Sequence, residues 1–392
     1  MRQVVYSLST FTVVVIALRV GAAFAGFVAL AGVVLLVRRW LAQPGEIRLQ
    51  RSLPARAFHG DELTVQVRAT NSGRPVHWLE VADLVPQALR TDAHSSRHVL
   101  TLDRDDDVTF SYDIRCARRG RYRVGPLGAT SGDLFGLKAV ELSPVPADTI
   151  VVYPRIVALS ALGIPARAPI ASIKHRHSLV RDPARLRGLR GYQPGDPRRS
   201  IHWPATARSG EIQVKQHDPA IARATVICLN LILPYYPRGR KTSGVEYAVT
   251  AAASLAHHIV TVDRLDAGLA VAGASGSERS TRLQVPVGGG RPHLMTMLET
   301  LAQVEPTTEG RFVTAVDSAI TDLPWGATVV LITPWVTDDL AATILGIRSR
   351  GFVPTVLLVQ PTAEAEEQCA RLGAAGVRVV PVEVDSDLVS LT

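Results

Sequence analysis

Residues 224–229 read Ala-Thr-Val-Ile-Cys-Leu, a short apolar run that ends at Asn230. It lacks the alternation of a strand with one wet face, so it reads as a strand of a parallel sheet covered on both sides. Downstream, the periodicity predicts helices over 245–262, 292–304, 312–322, 337–349 and 363–373. Between them, strands are expected over 267–272, 328–333, 353–359 and 377–384. Strands and helices alternating at these lengths imply a doubly wound sheet for residues 220–392. Such sheets bind ligands outside the carboxyl ends of their strands. The loops after the strands, Asn230-Leu231-Ile232-Leu233-Pro234 and Pro334-Trp335, are therefore the first places to look for chemistry.

Upstream the texture differs. After Pro44-Gly45 the chain breaks into short alternating runs, of which Leu63-Thr64-Val65-Gln66-Val67-Arg68-Ala69 is a half-buried strand. Further strands are expected over 77–83, 97–102, 107–115, 121–125 and 148–153, with a turn at Asn71-Ser72-Gly73-Arg74-Pro75. An immunoglobulin-like β-sandwich over 45–155, serving as spacer or interaction module, closes such a pattern. The acidic cluster Asp103, Asp105, Asp106 and Asp107 lacks the glycine and the downstream glutamate of a calcium loop, and reads as a solvated turn.

Residues 3–37 are almost continuously apolar, interrupted by Arg19 and closed by Arg38-Arg39. With 18 uncharged residues from Val20 to Val37, the stretch approaches the roughly 20 needed to cross a bilayer. A membrane anchor within residues 1–40 is expected, as one span or a helical hairpin. A signal peptide cleaved after Ala23-Phe24-Ala25 is less favoured, because apolar sequence continues past that point. The flanking arginines then put the remaining chain on the cytoplasmic side of the cell membrane.

Across 392 residues the chain is 47% hydrophobic and 20% charged, which excludes a disordered protein. A net charge of +8 favours anionic partners without choosing among acidic protein, lipid headgroup and nucleic acid. Cys116, Cys228 and Cys369 are far apart and odd in number, so neither a disulfide framework nor a CxxC metal site is expected. No GxSxG, HExxH or Walker motif occurs. Gly288-Gly289-Gly290-Arg291-Pro292 opens a helix, yet a plain loop is favoured over a phosphate cradle. His257 and His258 are adjacent on a helix and cannot chelate together, so one is expected buried and the other solvated.

The connector over 156–219 is the richest stretch. Between Lys174 and Lys215 it carries ten Lys or Arg against Asp182, Asp196 and Glu211, together with Tyr192, Trp203 and three histidines, with His217 just beyond. Basic residues interleaved with aromatics can grip single-stranded nucleic acid. The favoured alternative is a structural latch, with Asp196 accepting from Arg190, Arg198 or Arg199 after the fixed turn Gly191-Tyr192-Gln193-Pro194-Gly195-Asp196-Pro197. A hydrolase using Asp196 with His202 is disfavoured, because no nucleophile accompanies them.

Leu189-Arg190-Gly191-Tyr192-Gln193-Pro194-Gly195-Asp196, then Arg198-Arg199-Ser200-Ile201-His202-Trp203, Ala207-Arg208 and Val214-Lys215, resembles the signature of the bacterial family catalogued as domain of unknown function 58. Arg119-Gly120-Arg121-Tyr122, Gly125-Pro126 and Gly132-Asp133-Leu134-Phe135-Gly136-Leu137 resemble it as well. The resemblance implies an anchored protein with a von Willebrand factor A-like domain, commonly encoded beside a MoxR-type AAA+ ATPase. In von Willebrand domains an Asp-x-Ser-x-Ser loop holds a divalent cation. Here Asn230 replaces the first carboxylate and apolar residues replace the serines, so no metal is expected.

The sequence therefore predicts an α+β multidomain chain: anchor, immunoglobulin-like β-sandwich, basic connector, then a doubly wound von Willebrand factor A-like domain. The expected function is a membrane-anchored scaffold without enzymatic activity, cofactor or metal. It would act with a MoxR-type ATPase in assembly or maturation, through Arg190, Tyr192, Gly195, Asp196, Arg198, Arg199, Ile201, His202, Trp203 and Arg208. The alternative is binding of an anionic ligand, nucleic acid or lipid headgroup, by the same arginines.

Overall fold

The computed structural model describes residues 24–34, 46–89, 96–132, 139–159, 181–193, 196, 198–219, 224–239, 241–275 and 282–382. The chain divides into one unit of Met1–Ala55, Glu62–Arg115 and Tyr122–Ile150 and a second of Arg56–Asp61, Cys116–Arg121 and Val151–Thr392. A helix, α1, covers 24–34. Ten strands follow: β1 (Ile47–Ser52), β2 (Arg56–Phe58), β3 (Glu62–Asn71), β4 (Val76–Asp83), β5 (Arg97–Leu102), β6 (Asp107–Arg115), β7 (Gly120–Val124), β8 (Leu127–Gly132), β9 (Ala139–Glu141) and β10 (Asp148–Tyr153).

In the first unit β1-β3-β6 and β5-β4-β8-β9 form two antiparallel sheets. Along β3 the side chains alternate, and Val65, Val67 and Ala69 are fully buried while Gln66 and Arg68 face solvent. Leu79 and Val81 of β4 and Ile114 of β6 are buried as well. A charged group sits among them. The Arg51 guanidinium donates to both oxygens of Asp83, to Asp148 and to the Pro146 carbonyl, and the Tyr112 hydroxyl donates to Asp83 at 2.6 Å. Burial first, and the neighbouring carboxylate second, hold the Tyr112 phenol well above its usual range. The acidic cluster is a self-contained turn: Asp106 accepts from the Asp103 N–H, and Asp107 pairs with Arg68.

The second unit is built from β11 (Arg181–Gly191), α2 (Trp203–Ser209), β12 (Gln213–Pro219), β13 (Ala224–Asn230), α3 (Lys241–His257), β14 (Asp266–Ala272), β15 (Ala274–Ser275), β16 (Arg282–Gly288), α4 (Gly290–Gln303), β17 (Val304–Glu305), α5 (Phe312–Ile320), β18 (Thr328–Thr333), α6 (Asp338–Ser349), β19 (Val353–Val359), α7 (Ala363–Ala374) and β20 (Arg378–Val382). Six strands make one sheet in the order β16-β14-β13-β18-β19-β20. β13 is buried at every position. The pleat sends Ile227 and Leu229 into a cluster with α3 and α4, and Val226 and Cys228 into another with α5, α6 and α7. Alanines at 248, 251–253 and 256 let α3 lie close to the sheet.

The structure corrects the expected fold class. Among the described residues the chain is mostly sheet and β-rich, and no described helix supplies the expected anchor. Of the N-terminal apolar stretch only 24–34 is described, as helix, and no helix among the described residues is long and apolar enough to cross a membrane. The rest of the expected anchor, 3–23 and 35–37, lies outside the described residues. The sheet is not wholly parallel: β16 pairs antiparallel with β14, making it mixed. Its sequence, Arg282 to Gly288, has no continuous apolar run and contains Pro286, which an edge strand tolerates. That hid it from a search for buried strands.

Cys116 and Cys228 are free and buried. Burial pushes the Cys228 thiol up to about 12, and burial with the Asp61 carboxylate pushes Cys116 up to about 11. At pH 8 about one Cys116 thiol in a thousand is then ionised, and fewer still at Cys228. Iodoacetamide at that pH is expected to leave both residues unlabelled in the native protein and to label them after denaturation, as read by peptide mass spectrometry.

Candidate functional site: strand ends and the connector hairpin

β13 and β18 run parallel and end side by side at Asn230 and Thr333, both fully buried. The Asn230 side-chain amide donates to Thr333 Oγ1 at 3.1 Å, and its oxygen accepts from the Ile232 N–H at 3.0 Å. The Thr333 hydroxyl donates onward to the Trp335 carbonyl at 2.8 Å. Tyr236 closes the other side, its hydroxyl donating to the Asn230 carbonyl at 2.5 Å. Gly244 of α3 makes room for the Tyr236 ring, since a Cβ there would lie 2.8 Å from Cδ1. Burial pushes the Tyr236 phenol far up, so it stays a neutral donor. Every member of this network is neutral, and its amide, hydroxyls and carbonyls already satisfy one another. A divalent cation wants carboxylate oxygens, and this donor set does not fit one. Among the described residues no three His, Cys, Asp or Glu side chains gather as a metal site.

The connector forms an antiparallel hairpin in which β11 pairs with β12, with Leu189 opposite Lys215 and Arg190 opposite Val214. Of the three arginines considered for Asp196, Arg190 makes a two-pronged pair, both bonds 2.7 Å. Asp196 also accepts from the Gln193 N–H, which ties the turn to the strand. The hydrogen bond that Arg190 donates to Asp196 raises the Arg190 pKa further. His202 caps α2, its Nδ1 accepting from the Ala205 N–H at 3.1 Å. Thr206 bonds back to the His202 carbonyl and accepts from the Gln213 N–H, so helix and hairpin share hydrogen bonds. Gly210 ends the helix in the left-handed region at φ +76°. Ile201 bridges to the buried Val214. Arg198 and Arg208 are exposed, Arg199 is placed in a short 3-10 turn, and Gly195 lies outside the described residues. Four large apolar side chains face solvent on this hairpin: Leu189, Tyr192, Ile212 and Trp203, the last 67% exposed.

Two other sequence candidates have structural explanations. Asp266 Oδ1 lies 2.4 Å from where a Cβ on Gly289 would stand, so that glycine serves close approach, and a carboxylate beside it repels phosphate. His257 and His258 are both half-buried, correcting the expected split, and His258 lies 3.8 Å from Asp263. Sequence reasoning missed the role of Arg119. Its guanidinium, 6% exposed, donates to the Leu301 and Val304 carbonyls at the end of α4 and pairs with Glu246 of α3. The residue belongs to a quoted motif, but nothing local in Arg119-Gly120 identifies carbonyls some 180 residues away as its partners.

Two substitutions test these assignments. Asn230→Ala strands the Ile232 N–H and is expected to cost about 2–4 kcal/mol in denaturant unfolding. Asp196→Ala frees the turn, so a lower melting temperature and faster proteolysis around 192–198 are expected.

Comparison with known proteins agrees with the connector signature. "Uncharacterized protein YeaD" of Bacillus subtilis (strain 168) is 24% identical over 255 residues, covering 62% of this chain and 58% of that protein, so the chain spans under two thirds of its relative. Likenesses to solved structures are slight. Native alpha-2-macroglobulin from Escherichia coli, from domain MG7 to the C-terminus, shares 16% identity over 29% of this chain and 17% of that one, at a TM-score of 0.25. The CARDB domain of the PF1109 protein from Pyrococcus furiosus shares 17% identity over 28% of this chain and 88% of that one, at 0.22. Neither carries an argument about function. The family model described as "Protein of unknown function DUF58" matches residues 188–383, half of the chain, beginning at the connector signature and running through the six-stranded sheet, and the chain belongs to that family.

Proposed function

We propose that this protein is a non-enzymatic interaction protein that docks a partner protein on its connector hairpin. One observation carries the proposal: Leu189, Tyr192, Trp203 and Ile212 are exposed on a hairpin and helix that hydrogen bonds hold in shape. Exposing large apolar side chains costs solubility unless something covers them, and aromatic residues with arginines are the composition of binding hot spots. The exposed Arg198 and Arg208 favour an acidic face on the partner. The closed, neutral network at Asn230 supports the non-enzymatic reading, because its hydroxyls are already donated to carbonyls and it holds no carboxylate. From the family resemblance, the favoured partner is a MoxR-type AAA+ ATPase, with a role in assembly or maturation of protein complexes.

The same arginines support a second reading, binding of nucleic acid or lipid headgroups. Salt separates the two, because phosphate-backbone binding falls steeply as counterions are added. With purified chain and a MoxR-type ATPase from the same genome, Trp203→Ala is expected to weaken binding about tenfold or more at unchanged melting temperature. Absence of binding, or equal binding by the variant, sinks the proposal. Tight binding of an oligonucleotide or anionic vesicles that collapses with salt favours the second reading.

A further inference from the structure

A cavity of about 590 Å³ lies within the second unit, where α3 begins, and no part of the interaction proposal uses it. Its wall carries Arg118, Arg119, Arg155 and Lys241 against one carboxylate, Glu246. That carboxylate is already paired with Arg119, so the lining keeps a positive excess. Arg155 and Lys241 make no hydrogen bond or ion pair with the described residues, although each sits beside the cavity.

The helix adds to the charge. α3 runs for 17 residues and has no acidic side chain in its first turn, so its leading N–H groups and dipole are not offset from within. Lys241, Thr242 and Ser243 of that turn line the cavity. An independent observation points the same way. Tyr247, one turn along α3, also lines the cavity, is 6% exposed, and its hydroxyl has no hydrogen-bond partner among the described residues. Buried hydroxyls are ordinarily paired, and one left over at a cavity wall is a donor waiting for an acceptor. α3 follows β13, so the cavity opens on the carboxyl-end side of the sheet, where ligands of such sheets bind.

We infer that this cavity binds a small phosphate-bearing ligand of about nucleoside-phosphate size. The volume falls within the roughly 300–1,000 Å³ of small-molecule sites. Guanidinium groups match phosphate oxygens in pairs, a lysine adds a point charge, and the start of a long helix supplies N–H donors. Arg119 is a positioning residue: fastened to the Leu301 and Val304 carbonyls, it pairs with Glu246, the carboxylate of the lining. The site shares no residue with the hairpin, so its failure leaves the docking proposal intact, and the reverse holds.

The test is calorimetric titration of the full chain with pyrophosphate and with ATP, free of divalent metal. Saturable one-to-one binding of at least one probe is expected, with a matching rise in melting temperature. Arg155→Gln and Lys241→Gln should each weaken it about tenfold, the value of one charged hydrogen bond. Neither side chain is tied to the fold, so both variants should melt as the parent does. Tyr247→Phe keeps the ring in the core and should weaken binding as well. If one variant fails to fold, the other two decide. No saturation at millimolar probe, or affinity unchanged in the variants, overturns the site. Binding of a phosphopeptide without either small probe overturns it too, replacing it with a protein-docking surface.

Discussion

Water has no access to either side of Ala224–Asn230, and the second unit is arranged around that constraint. A strand buried on both faces needs a helical layer above and another below, and each large side chain it hides contributes about 1.5–3 kcal/mol. Ile227 and Leu229 require α3 and α4; Val226 and Cys228 require α5, α6 and α7. The same burial sets the polar bookkeeping at the end of the strand. Asn230 cannot be left unpaired in that position, and Thr333, Ile232 and Tyr236 are drawn into one neutral network around it.

Buried charge is handled by the same rule elsewhere. In the first unit Arg51 reaches two carboxylates and a carbonyl, and Tyr112 supplies a further donor to Asp83. In the second, Arg119 finds the carbonyls at the end of α4 and the carboxylate of Glu246. Each guanidinium joins segments far apart in sequence, which its planar fork of donors suits better than the single ammonium of lysine. The arginine content of the chain is thus partly architectural, and only the cations without such partners remain available for ligands.

The interior is closed and the connector is open. Strand ends that would ordinarily present chemistry are sealed by hydrogen bonds, while the hairpin over 181–219 holds aromatic and apolar side chains in water. Such rigidity favours recognition, since little conformational freedom is lost when a partner arrives. Both proposed functions lie on surfaces: the exposed hairpin, and the cationic cavity at the start of α3.

By itself the sequence determined what depends on neighbours along the chain. The apolar run at 224–229, the alternation over 63–69 and the turn leading to Asp196 follow from local periodicity and from glycine and proline. The lack of carboxylates after β13 was equally legible in Asn230 and its apolar successors. Only the tertiary structure decided what depends on distant segments. It fixed which arginine takes Asp196 and that β16, proline included, closes the sheet as an antiparallel edge. It also sent Arg119 to the end of α4, and gathered Arg118, Arg155 and Lys241 around one cavity. Those three cations come from segments that no period or motif connects, and only packing of the elements between them sets their separation.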